Sequence, residues 1–321
     1  MKARPLGVTG IQVSEIGFGT WAIGGDANGS MGYGPTDDEE SLAALTEARA
    51  LGCTVFDTSN LYGCGHAEEL LGQACAGRRQ DVVLATKAGF VNSDGRQDFS
   101  PDAVRRSLDG SLRRLRTDYV DVLQLHNPSQ EVLDGNDRLF SALEAMRHEG
   151  TIRAFGISAT SPDEALLFAT RYHPQCLQVN FNLGDLRALH NGLFETCRAR
   201  DIGVIVRSPL AAGFLTGQLG VSDTFAATDH RRRYDAEMRA RWVEAVRRLR
   251  PVFDDAPHAT PAQNAIRFVL SFEAVSMVIP GMFRVSDVLE DLGAAGLPRL
   301  DASRREAVEA IYEQLFYQGA A

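Results

Sequence analysis

Short apolar runs rich in β-branched residues recur along the chain, each followed by a longer stretch of helical periodicity. The eight runs are 16–20, 54–56, 82–85, 120–125, 152–157, 177–179, 204–206 and 275–279. Continuous apolar runs of this length suit strands buried on both faces, as in a parallel sheet. The intervening segments carry helix punctuation. Residues 37–51 open acidic and stop at Gly52, a residue suited to the left-handed position past a helix end. Ser100-Pro101, Ser161-Pro162 and Thr260-Pro261 each set a capping hydroxyl before a proline at the first helical position. Strand–helix alternation implies parallel crossovers, hence an α/β chain. Eight such units close a (β/α)8 TIM barrel.

Three pieces fall outside this repeat. Residues 4–14 read as an N-terminal β-hairpin turning at Thr9-Gly10, residues 209–260 as a long Arg-rich insertion, and Asp301 to Phe316 as an extra helix. No linker or low-complexity segment divides the sequence, so residues 1–321 read as one domain, a length that an α/β barrel can use whole.

Composition narrows the functional classes. A formal net charge of -9 argues against a nucleic-acid partner, which selects for a basic face. The longest apolar stretches are strand-length, so no membrane span is expected, and no apolar leader follows Met1 to Pro5. The five cysteines have no CxxC spacing and suit reduced thiols in a cytoplasmic protein, with no metal-ligand pattern.

In such barrels chemistry collects at the C-terminal ends of the strands. Those ends carry Thr20 and Trp21, Asp57, Lys87, His126, Ser158, Gln178 and Asn180, Arg207 and Ser208, and Pro280-Gly281. Singly, an Asp there caps a helix, a Lys is solvated and a His is a satisfied core residue. Asp57, Tyr62, Lys87 and His126 together suit one mechanism instead. A lysine beside a tyrosine lowers its pKa, a carboxylate holds that lysine charged, and a histidine orients a carbonyl. Asp121 is the one charge inside a run, expected on the strand's entrance side or facing a helix dipole or polar partner.

With these motifs in order the chain resembles the aldo-keto reductases along almost its whole length. The residues that carry the likeness are Gly17-Phe18-Gly19-Thr20-Trp21, Phe56-Asp57-Thr58-Ser59, Tyr62-Gly63 with Gly65-His66, Ala85-Thr86-Lys87, Leu125-His126, Gly156-Ile157-Ser158, Ser208-Pro209-Leu210 and Ile279-Pro280-Gly281. It is most similar to the bacterial branch related to potassium-channel β subunits. The resemblance implies a tetrad of Asp57, Tyr62, Lys87 and His126, in which Tyr62 is the acid for hydride transfer to a small carbonyl substrate. It implies a nicotinamide cofactor near Thr20, Trp21 and Asp57, with Ser158 and Gln178 on the carboxamide and Arg207 beside the ring. The strap of Ser208, Pro209, Leu210, Gly213, Leu215 and Gly217 would follow the pyrophosphate. Gly281, Phe283, Arg284, Asp287 and Asp291 would hold the adenosine.

The chain departs from the family pattern in places. Arg207 replaces a stacking aromatic, Ala159 a common Asn, and Asp287 and Asp291 stand where Gln or Arg and Asn are usual. The resemblance favours NADP(H) as the cofactor, and these departures make NAD(H) the alternative. Trp21, Tyr62 and His126 would face substrate, joined by His230 and Arg231 if the insertion is a lid rather than a solvated helix start. Cys64 reads as a small loop filler. Two other activities compete with carbonyl reduction: an NAD(P)-dependent aldose or alcohol dehydrogenase, and a non-catalytic cofactor-binding regulatory subunit. Nothing in the pattern sets an oligomeric state.

Overall fold

The computed structural model describes residues 1–26, 32–92 and 94–316. Strands β1 (Ala3–Pro5) and β2 (Gln12–Ser14) form an antiparallel hairpin in which Arg4 pairs with Val13. The other eight strands form one sheet in chain order: β3 (Phe18–Gly19), β4 (Val55–Asp57), β5 (Val83–Ala88), β6 (Val120–His126), β7 (Ile152–Ser158), β8 (Cys176–Asn180), β9 (Gly203–Arg207) and β10 (Val275–Ile279). Every neighbouring pair is parallel. The ring closes between β3 and β10, where Gly17 N–H donates to Val278 O at 2.8 Å and Gly19 N–H to Pro280 O at 2.8 Å. The sequence pattern gave residues 16–20 as the first strand, but only Phe18 and Gly19 join the ladder, and Ile16 makes an isolated bridge to Val278. A Cβ on Gly19 would lie 2.9 Å from the carbonyl oxygens of Ile279 and Pro280, so this seam needs a residue without a side chain.

The core has two layers. Val55, Val83, Ala85, Val122, Ala154, Cys176, Ile205 and Met277 pack inside the barrel, with Leu6, Ile11 and Val13 of the hairpin region beneath them. The hairpin thus plugs the N-terminal end. It fits tightly: Gly7 has φ +52°, and a Cβ there would lie 2.3 Å from Gly203 N. The larger layer lies between strands and helices. Helices Pro101–Leu115, Pro162–Arg171 and Pro261–Val269 start at the expected Ser100, Ser161 and Thr260 caps, and Asp37 caps Asp38–Ala50. The insertion folds as three 3₁₀ turns, Ala211–Thr216, His230–Arg233 and Arg250–Phe253, and a helix, Ala236–Leu249. No helix among the described residues is long and apolar enough to cross a membrane.

Asp121 lies at the entrance side of β6 with polar partners. It is 1 % exposed and accepts from Arg79 at 2.7 Å, Arg153 at 2.6 Å and the Leu84 N–H at 2.8 Å. The carboxylate ties β5, β6 and β7 together at the end of the barrel away from the site. Asp121→Ala leaves the Leu84 N–H unpaired and two arginines without their partner, so it lowers stability by about 2 kcal/mol. Asp121→Asn, which keeps an acceptor, loses less. Denaturant unfolding of the three proteins measures both, and equal midpoints for wild type and Asp121→Ala would contradict this account.

Candidate active site

At the C-terminal rim, β4 ends on Asp57 and β5 carries Lys87 on the next strand. The chain then passes through Thr58 to Leu61 into a tight turn, Tyr62–Gly65, with Gly63, Cys64 and Gly65 all in the left-handed region. The Leu61 N–H donates to Ser59 Oγ at 3.1 Å and shapes this turn. Tyr62 is thereby folded back over the barrel mouth.

The Lys87 ammonium is fully buried and donates to Asp57 Oδ1 at 2.5 Å, Thr58 O at 2.9 Å and Tyr62 OH at 3.0 Å. Its three hydrogens are then all used. Asp57 Oδ2 accepts from Gln124 Nε2 and Gln178 Nε2, each at 2.8 Å. Sequence reasoning missed Gln124; its signal is an amide set between the apolar residues Val122, Leu123 and Leu125.

Burial opposes the charge on Lys87, but Asp57 and the hydrogen bonds outweigh it and hold its pKa above the ordinary value. For Tyr62, burial pushes the phenol up while Lys87 pulls it down, and burial wins. Lys87 therefore acts in the expected direction without making the phenol acidic. His126, at the end of β6, is held well below its ordinary value by burial and by the charges of Lys87 and Arg207, so its ring is neutral. Its Nδ1 lies 3.3 Å from Ser59 Oγ, and Phe90 packs edge-on at 4.9 Å.

The structure divides the remaining candidates. Trp21 stacks on Tyr62 with centroids 6.1 Å apart, and His230 sits 4.5 Å from Trp21. His230 thus joins the aromatic wall beside Tyr62. Burial lowers its pKa to about 4. Arg231 reaches that wall only through Tyr33, whose ring lies 5.1 Å from its guanidinium: Asp229 holds it with contacts down to 2.5 Å, and it lines the adjoining cleft. The insertion is clasped to the first loop, since His230 N–H donates to Gly32 O at 2.9 Å and Thr228 Oγ1 to Asp26 at 3.0 Å. Cys64 is exposed on its turn.

That cleft runs outward from the rim and is lined by Ser208, Pro209, Leu210, Gly213, Gly281, Phe283, Arg284, Asp287 and Asp291 among the expected cofactor residues. Ala22, Tyr33 and Glu290 also line it, unforeseen from sequence. Leu215 and Gly217 do not: Leu215 is a core residue, and Gly217 ends its turn at φ +74° beside Pro261.

The rim fits a nicotinamide. Ser158 Oγ donates its hydrogen to Asn127 Oδ1 at 3.1 Å, and the Gln178 amide nitrogen is occupied by Asp57 and Gln124. Both side chains are left to offer oxygens, which suits the NH2 of a carboxamide. Thr20 Oγ1 is buried without a hydrogen-bond partner among the described residues. Arg207 donates to Ala159 O at 2.9 Å, and burial lowers its pKa. Among the described residues, no group of three or more His, Cys, Asp or Glu side chains could hold a metal ion.

A parallel barrel with a buried Lys–Asp pair under a tyrosine defines a class before any name does. The aldo/keto reductase family profile matches residues 15–313, and the chain belongs to that family. It is 32 % identical over 309 residues to an NADP(+) aldo-keto reductase of Schizosaccharomyces pombe, covering 93 % of this chain and 88 % of that one. It is 34 % identical over 233 residues to the NADH-specific methylglyoxal reductase of Escherichia coli, covering 68 % of this chain and 70 % of that one. The holo form of an aldo-keto reductase from Bacillus halodurans superposes with a TM-score of 0.80 at 27 % identity, covering 99 % of this chain and 98 % of that one.

Because His230 is neutral when folded and an exposed histidine protonates near 6.5, the unfolded chain takes up a proton first as pH falls. The stability tied to this group is complete above about pH 6.5 and is lost as pH falls towards about 4. His230→Phe keeps the ring contacts without the proton. Its stability is expected to fall less than that of wild type between pH 6.5 and 4.5, and parallel curves in urea titrations would count against this assignment.

Proposed function

We propose that this chain is an NAD(P)H-dependent oxidoreductase that reduces an aldehyde, ketone or keto-sugar, with the described barrel acting as one unit. One observation carries the reading. Lys87 donates to Tyr62 OH at 3.0 Å, so the tyrosine oxygen accepts and its own hydrogen is free to point into the site. When bound, the nicotinamide supplies the hydride. Tyr62 then gives its proton to the carbonyl oxygen as charge builds there, and the Lys87 ammonium stabilises the phenolate left behind. Asp57 keeps that ammonium charged and in place, while Gln124 and Gln178 hold Asp57. His126 is neutral, so it orients the carbonyl by a hydrogen bond rather than by charge. Trp21 and His230 exclude water on the open side.

Tyr62→Phe is expected to lower turnover by at least about 10²-fold, the usual worth of a general acid. Cofactor binding, read by fluorescence titration, stays near wild type. Lys87→Met loses activity near neutral pH, and Asp57→Asn loses less because the amide still offers Lys87 an acceptor, although burial of the ammonium is then opposed less. The assay follows nicotinamide absorbance in both directions with aldehydes, ketones and sugars. Retention of more than about a tenth of turnover in Tyr62→Phe would overturn the role of Tyr62 as acid.

A further inference from the structure

We infer that the outer end of the cleft selects against a dinucleotide bearing a 2′-phosphate, so that this chain takes NAD(H) in preference to NADP(H). The inference rests on the oxidoreductase reading and turns the sequence expectation towards its alternative. Three observations carry it. First, the helix Val285–Gly293 begins at the cleft, but its entry is already occupied by a carboxylate. Asp287 Oδ2 accepts from the backbone N–H of Arg284 at 3.2 Å and of Phe283 at 3.4 Å. A phosphate brought to that helix start would meet this negative charge where it would otherwise find N–H donors.

Second, both cations on the cleft are already paired. Arg231 is engaged by Asp229 with contacts down to 2.5 Å, and Arg284 Nε lies 3.7 Å from Glu40 Oε1. Arg231 is thus not free as the fork that a phosphate prefers, and the nearby Glu40 carboxylate offsets part of the Arg284 charge. Third, Glu290 and Asp291 line the same wall as Asp287. Asp291 is 3 % exposed. Burial and the neighbouring Glu290 and Asp287 carboxylates drive its pKa well up. A free ribose hydroxyl or an adenine edge can use such groups; a dianionic phosphate is repelled by the ionised pair beside them.

The test titrates NAD+ and NADP+ into the purified full chain by calorimetry, with 5′-ADP and 2′,5′-ADP as probes of the adenosine end alone. Wild type is expected to bind NAD+ at least tenfold more tightly than NADP+, and 5′-ADP more tightly than 2′,5′-ADP. Asp287→Asn keeps an acceptor for the helix entry, Glu290→Gln keeps shape, and Glu40→Gln releases Arg284. Combined, they shift the NADP+ to NAD+ affinity ratio by about tenfold or more towards NADP+, about 1.4 kcal/mol. Glu40→Gln alone, which leaves the helix entry untouched, shifts it in the same direction. Wild type that binds NADP+ as tightly as NAD+, or a ratio that the variants leave unmoved, overturns the inference. If neither dinucleotide binds, the oxidoreductase reading falls and takes this one with it. NAD+ preference in a chain whose Tyr62→Phe variant stays active leaves this inference standing while the role of Tyr62 fails.

Discussion

The site is organised around one constraint: an ammonium ion sits in the barrel with no access to water. Lys87 at zero exposure is tolerable only with full compensation. Asp57 supplies the opposite charge, Thr58 O and Tyr62 OH accept the remaining hydrogens, and two glutamines satisfy the far oxygen of Asp57. Removing any one partner leaves a buried polar group exposed to the low-dielectric interior. The network is therefore both a stability problem and the basis of the proposed chemistry, because it fixes which way each proton points.

The barrel makes this compensation possible. Neighbouring parallel strands bring Asp57, Lys87, His126 and Gln178 to one rim although they are spread over β4, β5, β6 and β8. At the opposite end, the hairpin plug and the Asp121 cluster close the cylinder. Stability and chemistry thus occupy different ends, and the loops at the rim can change without disturbing the seal below.

The tight turn after β4 and the clasp of the insertion are costlier features. Left-handed backbone at Cys64, Ser208, Ala211 and Ala212 is unfavourable for residues with a Cβ. Cys64 follows the tyrosine, Ser208 and Ala212 line the cleft, and Ala211 packs in the core between them. Such conformations persist where surrounding contacts over-determine them, as Asn182 does by donating to Ser208 O at 3.0 Å. Strain of this kind concentrates where a ligand must be approached closely by backbone.

The sequence by itself determined the order and type of the elements, because alternating strand and helix signals with strong caps at Ser100, Ser161 and Thr260 are local. It also pointed to Asp57, Lys87 and His126, since ionisable groups at the ends of apolar runs stand out from their neighbours, while Tyr62 came from the mechanism these three suit and from the family resemblance. Partnership was decided by the tertiary structure alone. Gln124 meets Asp57 across 67 residues, and Gln178 does so across 121. No local pattern encodes a contact made by closing a ring. The same holds for the split of His230 from Arg231: adjacent in sequence, they face different chemistry because Asp229 draws one guanidinium away while Trp21 receives the neighbouring ring. Local propensity sets where a side chain begins, and packing across the barrel sets what it touches.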